Sequence, residues 1–142
     1  MMDALLETNP EITPHKFADF YSRQGVVYFI GAGKLDKLDK PPIAIKIGLT
    51  QASTVERRLR SLQCSNHEPL ELLGLIGPKL MLEAEREEQA LHIRFAHLQR
   101  IVNGNVGHEW FTAAPDLLGY ITQYAVPPEK IGYRRSVARI AA

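Results

Sequence analysis

The chain reads as an α+β protein in which a small three-stranded antiparallel sheet is flanked by helices. Three observations predict this. Val26-Val27-Tyr28-Phe29-Ile30 is β-branched and aromatic, and Ile43-Ala44-Ile45-Lys46-Ile47-Gly48 alternates between two faces. Met81, Ala84, Glu88, Leu91, Phe95 and Leu98 follow at steps of three and four, which is one face of a helix. With 142 residues, 45% of them hydrophobic and 23% charged, the chain suits one soluble globular domain with its own core.

Thr13-Pro14 predicts an N-cap with proline at the first helical position, opening a helix to about Arg23. The strand at 26–30 and the alternating run at 43–48 then form an antiparallel hairpin. Their polar connection, 33–42, carries three lysines, two aspartates and Pro41-Pro42. Ser53-Thr54-Val55-Glu56 has the pattern of a capping box, which predicts a helix from near Thr54 through Leu62. Pro69 to Ile76 predicts a third strand. Gly77-Pro78 breaks the chain before a long helix from about Lys79 to Arg100. Asn103-Gly104-Asn105 and Gly107 predict a turn, and His108-Glu109-Trp110-Phe111 leads into a last helix from about Pro115. The organisation is a helical extension at 1–24, a domain at 25–126 and, beyond Pro127-Pro128, a basic tail at 127–142.

Gly25 to Gly33, the longest apolar stretch, is far too short to span a bilayer, so no membrane partner is expected. Without a signal-peptide pattern and with Cys64 as the lone cysteine, a reducing, cytoplasmic setting is expected. The net charge of +1 hides local patches. Arg57, Arg58 and Arg60 form one basic cluster; Lys130, Arg134, Arg135 and Arg139 form another against Glu129 alone. Such patches can engage a polyanion without a basic overall composition, but taken alone they read first as a solvated helix face and a loose tail.

Glu88 is the one charged residue in the apolar seam. A carboxylate there must reach water through a cleft or meet a cation, since burying it unpaired is costly. His92, one turn on, is its neighbour.

In order along the chain, these residues resemble the GIY-YIG nuclease superfamily, and more narrowly its phage-associated DNA-binding branch. Val26-Val27-Tyr28 stands where the superfamily has Gly-Ile-Tyr, and Lys46-Ile47-Gly48 where it has Tyr-Ile-Gly. Arg58 matches the arginine of the following helix, and Glu88 the glutamate of the long one. Gly107-His108-Glu109-Trp110-Phe111 matches the closing Gly-x-Glu-Trp-Phe element. The resemblance covers roughly residues 25–123. Val26 replaces a glycine, Lys46 replaces the second tyrosine, and 33–42 lengthens the hairpin loop.

The resemblance implies a DNA endonuclease that hydrolyses phosphodiesters with a divalent metal. Glu88 would be the ligand of Mg²⁺ or Mn²⁺, since one carboxylate completed by waters and phosphate suits such a hard ion; pairing with Arg58 or a lysine is the structural alternative. Arg58 would fork onto the scissile phosphate. Tyr28 and Lys46 would share a sheet face. There either could take the proton from water, Lys46 could simply bind phosphate, and Tyr28 could be core. His92 would bond Glu88 or substrate, or pack between Glu88 and Phe95. Glu109 would support the metal or Arg58, with Trp110 and Phe111 in the core. Arg57, Arg58, Arg60, Arg134 and Arg135 would bind DNA, branched or flapped DNA included; the alternative, and the stronger one for Arg57 and Arg60, is a surface arginine on an amphipathic helix. No helix-turn-helix or zinc finger is present to read bases, so a protein partner could supply specificity. The alternatives are a non-cleaving DNA-binding module on the same fold and a protein-interaction factor.

Overall fold

The run at 26–30 is continuously apolar, so an extended backbone puts apolar side chains on both sides of the sheet, whereas 43–48 alternates and puts its isoleucines on one side. A computed structural model describes residues 23–33, 43–66, 68–102 and 105–136, with backbone alone at 101–102 and 105–109. Residues 13–22 of the expected N-terminal helix, the loop at 34–42 and Arg139 lie outside the described residues. β1 (Gln24–Ala32) pairs antiparallel with β2 (Ala44–Gln51), Tyr28 opposite Gly48 and Ile30 opposite Lys46. β3 (Leu70–Leu80) lies on the other side of β1.

The sheet is larger than the sequence predicts. β4 (Gln99–Val102) and β5 (Asn105–Thr112) form a second hairpin, and β5 joins β2 through Ala44, Ile45 and Lys46. The result is an open five-stranded antiparallel sheet in the order β3-β1-β2-β5-β4. The three-stranded expectation is thereby corrected: Gln99–Val102 belongs to a strand rather than to a helix end, and His108 to Phe111 is strand rather than a lead-in.

Among the described residues three α-helices cover the sheet: α1 (Val55–Cys64), α2 (Met81–Arg94) and α3 (Pro115–Tyr124). On one face Val26, Tyr28 and Ile30 pack with Leu70, Leu72 and Leu75 of β3 and with Val55 and Leu59 of α1. On the other, Val27, Phe29, Ile45 and Ile47 pack with Leu91 and Phe95, and with Leu117 and Ile121 of α3. Burying a side chain of this size contributes about 1.5–3 kcal/mol, so the apolar run of β1, which faces both ways, recruits helices to both faces.

Two helix limits differ from expectation. α2 stops at Arg94, and Phe95 turns out of helical geometry (φ −105°, ψ 19°) into a short 3-10 turn, Ala96–Leu98. The seam continues in sequence but the helix does not. Before α1 a 3-10 turn, Ala52–Thr54, takes the place of the capping box. Thr54 makes no side-chain cap bond; its hydroxyl donates to the Gln51 carbonyl at 3.1 Å.

Residues 126–136, most of what the sequence sets apart as a tail, are docked. Val126 and Leu75 exchange backbone hydrogen bonds of 2.8 and 3.0 Å, and Pro128 is buried. The Leu72 amide donates to the Arg135 carbonyl at 2.6 Å, extending cover along the outer edge of β3.

Candidate functional site

Tyr28 is placed by β1 with its side chain towards α1, almost fully buried at 1% exposure. Opposite it is Gly48, where a Cβ would fall inside the van der Waals envelope of the Tyr28 Cζ and Oη. The glycine lets the phenol lie across β2 and reach α1. There the Arg58 Nε–H donates to the Tyr28 hydroxyl at a long 3.4 Å. The first strand motif, the second strand motif and the arginine helix thus meet at one point.

Two adjoining hollows open beside this contact. One, of about 320 Å³, is lined by Thr50, Thr54, Arg57, Arg58 and Ser61. The other, of about 300 Å³, shares Thr50, Thr54, Arg57 and Arg58 and adds Leu49, Gln51 and Met81. Thr50 stands on the same sheet face as Lys46 and Gly48, because residues two apart on a strand share a face. Thr54, Arg57, Arg58 and Ser61 share one face at helical spacing. The sequence reading missed Thr50, Thr54 and Ser61, and these two periodicities are the signal that could have found them.

Lys46 shares the sheet face of Tyr28, as expected, one diagonal step away. It is only 7% exposed, and its ammonium lies 5.5 Å from the centroid of Trp110, within cation–π range. Trp110 in turn packs against the cluster that contains Tyr28.

Glu88 occupies the expected position on α2. Its seam neighbours Met81, Ala84, Leu91 and Phe95 are buried, while Glu88 itself is half-buried. Gly25 admits the α2 start closely, since a Cβ there would come 2.7 Å from Met81 Sδ. His92, expected to bond Glu88 or substrate or to pack between Glu88 and Phe95, makes a backbone bond and an aromatic contact. Its Nε2 lies 2.9 Å from the Ile47 carbonyl, and its ring meets Phe111 edge-on at 5.1 Å. A carbonyl only accepts, so Nε2 carries the proton and Nδ1 faces away from that bond. His92 fastens α2 to β2 just beyond the last β5 pairing.

The remaining predicted residues are spread out. Arg60 pairs with Glu56 on its own helix at 3.1 Å. Arg135 is held by Glu129, by Glu71 at 3.8 Å and by the Leu72 carbonyl. Arg134 is exposed, and Glu109 lies on β5 with its side chain outside the described part. Tyr133, between the basic residues, packs on the α1 cluster, and its hydroxyl donates to the Ala52 carbonyl at 2.6 Å. Among the described residues no group of three or more His, Cys, Asp or Glu is placed to hold a metal ion. No helix among them is long and apolar enough to cross a membrane.

Neither a curated protein nor a solved structure matches the chain. A family model does: that of the T5orf172 domain matches residues 25–134, which runs from the first residues of β1 through the docked segment at Tyr133. The chain therefore belongs to the T5orf172 domain family, a phage-associated family.

Proposed function

We propose that this T5orf172 domain is a divalent-metal-dependent DNA endonuclease of GIY-YIG type. The observation that carries the reading is the Arg58–Tyr28 contact at the rim of an open hollow lined by arginine and hydroxyl side chains. The phenol fixes the Arg58 guanidinium at its Nε–H, and a guanidinium is a permanently charged, planar fork suited to phosphate oxygens. The hollow's lining of two arginines, two threonines and a serine suits an anionic ligand.

The donor set suits a hard ion. A single half-buried carboxylate, Glu88, fits Mg²⁺ or Mn²⁺ that keeps several waters, whereas Zn²⁺ calls for three or more protein ligands. Bound at Glu88, such an ion would supply charge stabilisation to the phosphate oxygens and to the leaving 3′-oxygen. Arg58 binds and orients the phosphate. Tyr28, itself buried, sets the position of Arg58. Arg57 and Arg134 add backbone affinity without reading sequence. Specificity then comes from the shape of the DNA, such as a branch or flap, or from a protein partner.

Supercoiled plasmid incubated with Mg²⁺ or Mn²⁺ tests the reading. Nicking that needs the metal and disappears in Glu88→Ala and Arg58→Ala supports it. Tight binding with no nicking under either metal rejects it. The second reading, a DNA-binding module that does not cut, is favoured by Lys46, which stands in the second tyrosine's place yet lies nearly buried over Trp110.

A further inference from the structure

Arg57 and Arg58 are adjacent on α1 and line the same hollow, and no carboxylate lines it or the recess beside it. Two guanidinium groups at one recess repel each other, and a bound anion relieves that repulsion. The neighbouring arginines have protein carboxylates: Arg60 has Glu56, and Arg135 has Glu129 and Glu71. Arg57 meets no carboxylate among the described residues.

The hydroxyls narrow the chemistry. Thr54 Oγ1 donates to the Gln51 carbonyl, and Thr50 Oγ1 lies 2.8 Å from Thr54 Oγ1. With the Thr54 proton committed, Thr50 is the donor of that pair. The donors left on the α1 wall are the Arg57 guanidinium N–H groups and the Ser61 hydroxyl, one turn beyond Arg57. Tyr28 and Glu88 do not line this hollow. An anion bound there sits beside the reacting position rather than in it.

We propose that the hollow between Thr50, Thr54, Arg57 and Ser61 is a second phosphate subsite. It takes the backbone phosphate next to the one Arg58 holds at Tyr28, with Arg57 as its principal ligand. The subsite rests on the proposed role of Arg58 in phosphate binding, and Arg58 is the bridge between the two positions.

The test is fluorescence anisotropy of a labelled duplex oligonucleotide in EDTA, titrated at several salt concentrations, so that neither metal nor cleavage is needed. One lost phosphate contact lowers the log–log salt slope by about 0.9, which at 0.1 M salt is a roughly eightfold loss of affinity relative to the 1 M limit. Arg57→Ala is expected to show both changes, with Ser61→Ala weaker in the same direction. Arg60→Ala, outside the hollow and paired with Glu56, is the control for general charge loss. Binding by Arg57→Ala that is as tight and as salt-sensitive as wild type overturns the subsite. Equal losses in Arg57→Ala and Arg60→Ala overturn it too. An Arg57-dependent slope in a protein that never nicks plasmid keeps the subsite and removes the nuclease reading.

Discussion

The phenol of Tyr28 lies across the α-carbon of Gly48 on the neighbouring strand, and the site depends on that superposition. Any side chain at 48 displaces the ring and with it the hydroxyl that receives Arg58. Overpacking of this kind costs about 1–3 kcal/mol. Gly48→Ala is expected to lower stability by that amount in urea unfolding. Tyr28→Phe would not rescue it, because Cζ and Cε1 stand in the way as well as the hydroxyl. In a Tyr28→Ala background the added cost of Gly48→Ala should fall towards zero; an undiminished cost would show that the two sites are not coupled.

That pairing shows how far the sequence could be read. Alternation along 43–48 placed Lys46 and Gly48 on one face, and the Tyr28–Gly48 register bears this out. The seam placed Glu88 between Ala84 and Leu91, both buried. It also overran the helix, because Phe95 and Leu98 stay apolar after the backbone has left helical geometry. β4 was hidden inside that overrun, and β5 carries Gly107, His108 and Glu109, residues with little strand preference. Asn103-Gly104 between them was the available hairpin signal. The hollow was not legible, since its walls come from a strand and a helix whose crossing no local pattern specifies.

Tyr133 ties the docked C-terminal segment to the turn that enters α1, through the 2.6 Å bond to the Ala52 carbonyl. Basic composition made this segment resemble a solvated tail, whereas its aromatic residue and Pro128 pack inward. Tyr133→Phe keeps the packing and deletes the bond, at an expected cost of about 1 kcal/mol in chemical unfolding. A larger cost in Tyr133→Ala separates the ring's share from the hydroxyl's. If Tyr133→Phe is as stable as wild type, the bond contributes nothing to holding the turn.

His97 and Asp116 join the 3-10 turn after α2 to the first turn of α3, Nε2 to Oδ2 at 2.9 Å. The bond from His97 is the main reason the Asp116 carboxyl is held below its ordinary value of 3.8. A depressed carboxylate stabilises the fold above its unfolded pKa, and loses that contribution as pH falls through its folded one. Wild type should therefore be more stable than His97→Ala above about pH 4, and the gap should close on acidification. Urea midpoints of the two proteins across that range are the measurement. A gap that is independent of pH would show that His97 acts through packing alone.

Glu88→Gln separates a metal ligand from a packing residue more sharply than an alanine does. The amide keeps the shape of the side chain in its half-buried place between Ala84 and Leu91. It also removes the negative charge that a hard cation needs. A metal that stabilises the transition state by several kcal/mol sets the scale, so the nicking rate should fall by at least about a hundredfold. The thermal midpoint should change little. Manganese should also lose its power to raise that midpoint, because a ligand that binds the folded state stabilises it by mass action. If Glu88→Gln cuts at the wild-type rate, the metal, if required, is held elsewhere. If instead the midpoint drops while nicking and the manganese shift survive, Glu88 serves the fold.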